Sequence, residues 1–399
     1  MTVTTAGARM PGLDQTAVRR VNTSVVLRAL AAHEDDVTLQ LLVAGTALSR
    51  RTVELILTDL VAAGWVREAA AESDGRAGRP ARRFRFAAER NVVAAVRIDT
   101  HLAHAIVADL HGRILGRAER RLGDDYFEPM RAVGHAAAAV RAAIDDAGVP
   151  VQRLRAGGAA AGGVLDPDTG TVRRLVHAPR WTGFGLADAL AAELGVPWVA
   201  DNDANLAALA EFRRGAAVGR RHIAWLIHGQ RTGAGFIVGG ELHRGADGAA
   251  GELIESRVLG LARNSDQIIG RLTSPLDSER AQALAAVAAA QDGDAEAHAG
   301  AVELAVQIAD VIEVIAWIIA PELVVLGGGL EAGSELLIPL IRARLRELGA
   351  PELELAPTSI GADAPIIGAM HQALDRIDAE LYGPVVAEHR PTTTQEHAR

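Results

Sequence analysis

Between residues 87 and 92 the pattern of this chain changes, and that change constrains the fold more than any other feature. Before it, apolar residues recur at helical spacing in three short segments, followed by two short runs that alternate as strands do. After it, an α/β pattern opens at Val93 and continues to about Tyr382. A chain of 399 residues exceeds what one ordinary core supports, so the break reads as a domain boundary. The expected organisation is a leader over residues 1–16, a small head over 17–88, a body over 92–385 and a tail over 386–399. Leader and tail lack apolar periodicity, and are expected to be flexible and disordered.

The charge follows the same division. The whole chain carries −9, yet residues 1–90 hold thirteen arginines against ten acidic residues, and the acidic excess lies entirely in the body. Every basic residue is arginine. A mildly basic head on an acidic body fits a nucleic-acid-binding module joined to a second domain. Cysteine is absent, which removes disulfides and thiolate metal sites. No apolar run approaches the roughly 20 residues that cross a bilayer; residues 311–320 come nearest and are broken by Glu313. The N-terminus lacks the order of a secretion signal. A cytoplasmic protein without membrane contact is expected.

Within the head, Val26, Leu27 and Leu30 share a face of the first helix. A second helix starts near Thr38, with Leu39, Leu42 and Val43 available to the core. The third is the clearest. Ser49 can cap it, Val53, Ile56, Leu57 and Leu60 form a buried stripe, and Gly64 ends it. Its opposite face carries Arg50, Arg51, Thr52, Glu54 and Thr58. A recognition helix in the major groove needs this division, with polar residues at its N-terminal end reaching base edges. A strand at Trp65-Val66-Arg67 and a return strand in which Arg83 and Arg85 alternate with Phe84 and Phe86 then flank a glycine-rich tip, Asp74-Gly75-Arg76-Ala77-Gly78-Arg79-Pro80. Five arginines and no acid lie between Arg76 and Arg85. Such a wing can enter the minor groove or grip phosphates. A winged helix-turn-helix is expected, with Ser49, Arg50, Arg51, Thr52, Arg76, Arg79 and Arg82 as its duplex-contacting set.

Several segments in order carry a family resemblance over about residues 18–385. They are residues 21–27 (VNTSVVL), Gly78-Arg79-Pro80, residues 201–205 (DNDAN), residues 245–252 (GADGAAGE), residues 321–329 (PELVVLGGG) and residues 361–369 (GADAPIIGA). The chain resembles the ROK family, which joins repressors, uncharacterised reading frames and sugar kinases. That resemblance implies a two-lobed actin-like, ribonuclease-H-like ATPase fold preceded by the winged head, with sugar held between the lobes. It assigns Asp203 to the catalytic base and Asn202 to a neighbour that hydrogen-bonds the sugar. On the residues alone, Asp203 could equally cap the helix that continues to Glu211.

The phosphate-binding segments depart from the family pattern. Where its kinases have Asp-x-Gly-Gly-Thr, this chain reads Asp99-Thr100-His101-Leu102-Ala103, and where they have Gly-Thr-Gly-x-Gly it reads Gly229-Gln230-Arg231-Thr232-Gly233. Side chains there block the close approach of backbone to phosphate. Gly327 to Gly329 look intact, though a tight strand-to-helix turn would explain them as well. The metal-binding His after Gly-Glu-x-Gly is replaced: the segment reads Gly251-Glu252-Leu253-Ile254-Glu255. His177 stands in a segment, residues 177–181 (HAPRW), where relatives carry a sugar-contacting Asn before a Trp.

The expected ligand set is therefore Asn202, Asp203, Glu252 and Glu255, with no cofactor, no metal and no functioning catalytic residue. The leading reading is a sequence-specific regulator, most simply a repressor. It would bind an operator in double-stranded DNA as a homodimer or dimer of dimers and respond to a small polar, sugar-like effector. An active sugar kinase with a DNA-binding head, and a body that only dimerises, remain open alternatives.

Overall fold

The computed structural model describes residues 15–33, 35–69, 82–229, 232–253 and 268–382. The chain divides into two compact units, residues 1–91 with 375–399, and residues 92–374. The tail, most of the leader and the hairpin tip with Arg76 and Arg79 lie outside the described residues, as does Glu255.

In the first unit, α1 (Gln15–Ala31) already includes the last two residues assigned to the leader, a boundary shift of the size helix ends commonly show. A two-residue strand β1 (Val37–Thr38) runs directly into α2 (Leu39–Thr46), and the Thr38 side chain caps that helix by accepting from the Leu41 amide. Helix α3 (Arg50–Ala62) is capped by Ser49 and followed by Gly64 at φ +79°. Strands β2 (Val66–Ala69) and β3 (Arg83–Phe86) pair antiparallel, and β1 adds to the far side of β3. The core holds Val26, Leu27, Leu30, Leu39, Leu42, the α3 stripe, Phe84 and Phe86, all buried, whereas Val43 is only half-buried. Sequence reading missed β1. Two residues carry no period, and the strand exists only because β3 offers it an edge.

The second unit opens with the meander β4 (Val92–Ile98), β5 (Leu102–Asp109) and β6 (Ile114–Arg121), then α4 (Pro129–Asp146) and β7 (Leu154–Ala161). A hairpin of β8 (Val164–Leu165) and β9 (Val172–Arg174) precedes α5 (Leu186–Leu194), β10 (Trp198–Asn202) and α6 (Asp203–Arg214). A second meander follows, β11 (Ile223–Ile227), β12 (Gly233–Val238) and β13 (Glu241–His243), then α7 (Asp277–Gln291) and α8 (Ala295–Ile318). Strand β14 (Leu323–Leu326), α9 (Ser334–Leu348), β15 (Glu354–Pro357) and α10 (Ala364–Tyr382) are the last described elements, with α10 assigned to the second unit up to Leu374.

The sheet orders are β10-β7-β4-β5-β6 and β13-β12-β11-β14-β15. Counted along the chain, both sheets place their strands third, second, first, fourth, fifth. In both, the first three strands are antiparallel and the last two run parallel to the first. Central strands such as β4 are buried on both faces and read as continuous apolar runs rather than alternating ones. One core packs the first sheet against α4 and α5, and another packs the second sheet against α7, α8 and α9. Helix α6 touches both sheets, lying against β7 and β10 as well as β11 and β12. Among the described residues, no helix is long and apolar enough to cross a membrane.

Candidate functional site

The end of β10 and the start of α6 build the centre of the site. Asn202, not Asp203, caps α6: its Oδ1 accepts from the amides of Ala204 at 2.8 Å and Asn205 at 3.1 Å. Its Nδ2 donates to the Gly163 carbonyl and to Glu252 Oε1, each at 3.0 Å. An amide side chain has two donor hydrogens and two acceptor sites, so Asn202 is fully used within the protein. These bonds give Asn202 a positioning role at the edge of the cleft. The capping alternative for Asp203 fails, because Asp203 is the first residue inside the helix, half-buried at the cleft. An acid in a first helical turn is favoured by the helix dipole.

Below Asn202, Asp201 is almost wholly buried and accepts from Arg244 Nε at 2.7 Å and Gln372 Nε2 at 2.8 Å. At the other end of α6, the buried Glu211 carboxylate accepts from the hydroxyls of Thr358 and Ser359 and the amides of Ile360 and Ala216. The helix is thus pinned at both ends by buried carboxylates that each have several donors.

Asn202, Asp203 and Glu252 line one cleft of about 830 Å³ within the second unit, together with Asp99, His177 and Gly329. That volume suits a small ligand. His177 is hydrogen-bonded through Nε2 to the Tyr126 hydroxyl at 3.1 Å, and the two rings lie parallel with centroids 5.9 Å apart. Burial pushes the His177 pKa down, opposed by Asp99 and Asp203, so the imidazole is neutral near pH 7. Burial also raises the Tyr126 pKa, and the same two carboxylates add to the effect. The buried Trp181 indole donates to the Tyr126 carbonyl at 2.7 Å and fixes this pair. Tyr126 carried no signal in the sequence, since it lies in a short 3₁₀ turn far from any motif.

At the position of the first phosphate loop the chain closes on itself. Thr100 and His101 form a closed turn between β4 and β5: the Asp99 amide donates to the Leu102 carbonyl at 2.9 Å. The Asp99 carboxylate takes the Thr100 amide at 2.7 Å and the Arg97 guanidinium at 2.6 Å. Of the second loop, Gln230 and Arg231 lie outside the described residues. Before them, the buried His228 bonds Thr232 Oγ1 at 3.0 Å through Nδ1 and Gln307 at 3.4 Å through Nε2. The glycine triplet is explained by packing. A Cβ on Gly327 would fall 2.5 Å from the Trp225 indole, one on Gly328 2.2 Å from Ile227, and one on Gly329 2.0 Å from the Leu272 carbonyl. Among the described residues no cluster of three or more His, Asp or Glu could hold a metal ion.

In the first unit, α3 presents Arg50, Arg51 and Thr52 at its N-terminal end. Ser49 Oγ accepts from the Thr52 amide at 3.2 Å and lies 2.8 Å from the Thr52 hydroxyl, which commits both to the cap. Arg50 pairs with Glu54 at 3.1 Å. Arg82 is held by both carboxylate oxygens of Glu68, at 2.6 and 2.9 Å, and lies 5.0 Å over the Phe84 ring. That pairing raises the Arg82 pKa and lowers that of Glu68. Arg51 is exposed and has no partner among the described residues.

Two mixed five-stranded sheets of one topology, with a cleft and a helix that touches both, define an actin-like ATPase fold. Residues 93–253 match the model of the ROK family. A glucokinase of Halalkalibacterium halodurans is 27% identical over 243 residues, which cover 53% of this chain and 73% of that protein. The structure of a ROK family transcriptional regulator, a homologue of the E. coli MLC protein, matches with a TM-score of 0.68 at 18% identity, over 91% of this chain and 98% of that one. A ROK family glucokinase from Streptomyces griseus, in complex with glucose and AMPPNP, matches with a TM-score of 0.59 at 24% identity, over 71% of this chain and 100% of that one.

Proposed function

We propose that this chain is a DNA-binding transcriptional regulator whose cleft takes a small polar, sugar-like effector and which does not transfer phosphate. The observation that carries this reading is the cleft itself. Asp203 and Glu252 stand together in it, while the first phosphate segment is a turn closed between Asp99 and Leu102, with His101 and Leu102 where the resemblance leads one to expect glycines. A base contributes about 10²–10⁴-fold to a reaction, and without a positioned phosphoryl group it has nothing to act on. The fold comparison supports the same reading: the kinase structure is matched in full by 71% of this chain, whereas the regulator structure reaches 91%.

The first unit then serves as a winged helix-turn-helix, with α3 in the major groove and the β2–β3 hairpin as the wing. Two copies in a homodimer present two recognition helices to a pseudo-palindromic operator. The effector acts as an inducer by binding one state of lobe closure better than another. Carboxylates suit polyols because each accepts several hydroxyl hydrogen bonds.

Fluorescence anisotropy with duplexes from the promoter of the chain's own locus tests this reading. Specific binding and its release by a sugar, sugar phosphate or amino sugar are expected, and the same compound should stabilise the protein by about 2.7 kcal/mol at a hundredfold excess over Kd. Absence of specific binding defeats the regulator reading. Specific binding that no such compound alters, and that Glu252→Ala leaves unchanged, defeats the effector.

A further inference from the structure

The outward face of α3 holds an apolar residue that the core does not use. Leu55 is 53% exposed, whereas Val53, Ile56, Leu57 and Leu60 of the same helix are buried. A single exposed leucine is ordinary, so its neighbours decide what it means. Arg51 lies one turn before it and Thr58 one turn after it, at the i−4 and i+3 positions that share its face.

The two acids on this side of the helix are neutralised from within the first unit. Arg50 holds Glu54 at 3.1 Å, and Arg19 of α1 holds Asp59. Neither carboxylate is left to repel a phosphate backbone. The Thr58 hydroxyl donates to the Glu54 carbonyl at 2.9 Å, so the outward part of that side chain is its methyl. The face therefore reads, from its N-terminal end, one guanidinium without a partner among the described residues and then an apolar step made by Leu55 and the Thr58 methyl. Base edges in the major groove offer an apolar partner at one place, the C5-methyl of thymine, and the best guanidinium partner is the O6/N7 edge of guanine.

We propose that Leu55 is a specificity-determining residue that packs on a thymine C5-methyl in the major groove, beside a guanine read by Arg51. This inference rests on the DNA-binding reading. Four residues of helix rise by about 6 Å, which is about two base-pair steps of about 3.4 Å. The thymine therefore lies within about two base pairs of the guanine.

The test uses the full-length protein to select tight-binding duplexes from a random pool, then replaces each selected thymine by deoxyuridine, which removes the methyl and nothing else. One replacement is expected to weaken wild-type binding about fourfold, the equivalent of one buried methyl group at ~0.8 kcal/mol. Leu55→Ala, at an exposed position that should not disturb folding, is expected to bind the thymine duplex about as weakly and to show no further loss with deoxyuridine. If wild type binds every deoxyuridine duplex as tightly as its parent, or if Leu55→Ala keeps the penalty, the inference is overturned while the DNA-binding reading stands. If selection enriches no sequence at all, that reading itself fails, and the inference with it.

Discussion

The Asn202 amide donates to the Glu252 carboxylate at 3.0 Å across fifty residues of sequence, while its own oxygen caps α6. One side chain therefore positions two carboxylates of the cleft, Glu252 directly and Asp203 through the start of the helix.

Asn202→Ala should lower stability by about 1–3 kcal/mol, combining a lost N-cap with an orphaned Gly163 carbonyl. Glu252→Gln keeps the oxygen that Asn202 needs and should unfold within about 1 kcal/mol of wild type, yet lose its response to the effector. Urea unfolding of the two variants checks this. Equal stabilities would mean that Asn202 does not organise the site.

Arg51 should matter more for operator binding than either Arg50 or Arg82. The last two are already paired with Glu54 and Glu68, so any contact with DNA must first break an ion pair. Arg51→Ala is expected to cost about 1–3 kcal/mol of specific affinity, and Arg82→Ala distinctly less. Anisotropy titrations at a fixed salt concentration measure both. Equal losses would contradict the ordering.

Phosphoryl transfer should be absent. Coupled ADP-release assays with hexoses, hexosamines and acylhexosamines are expected to stay at background for wild type and for Asp203→Ala alike. Sugar-dependent ADP release that disappears in Asp203→Ala would restore the kinase reading.

Acid should destabilise the second unit through its buried histidines. Burial beside Arg213 and Arg214 lowers the His371 pKa to about 3, against 6.5 when unfolded. Between those values the unfolded chain binds a proton that the folded one refuses, so stability is complete above pH 6.5 and falls as pH drops below it. The slope from this residue is about 1.4 kcal/mol per pH unit. His371→Leu also removes a ring nitrogen, Nε2, that has no hydrogen-bond partner among the described residues. Denaturant unfolding of this variant from pH 7.5 down to pH 4.5 should show a shallower acid limb. Parallel limbs would place the titration elsewhere.

How far the sequence could be read depended on whether a signal was local. The α3 stripe, the Ser49 cap and the alternating Arg83–Phe86 strand are set by neighbours within a few residues, and each lies where its pattern pointed. The matching topology of the two sheets was invisible, because strand order is set by pairing across long connections and leaves no periodic trace. Asn202 was singled out, but its cap on α6 and its bond to Glu252 were not legible, because they depend on where Gly163 and Glu252 arrive. Glu211, Tyr126 and Arg244 stood in no motif, and only the folded chain brings their partners to them.

Helix α6, twelve residues long, is packed against both sheets. This makes the second unit mechanically modular, with one shared part. Substitutions buried within one sheet's core and within the other's should contribute independently to unfolding free energy, as distant sites do. Substitutions on α6 should not, because each alters the footing of both cores at once. A pairwise map of non-additive variants would therefore concentrate its strongest epistasis on these twelve residues.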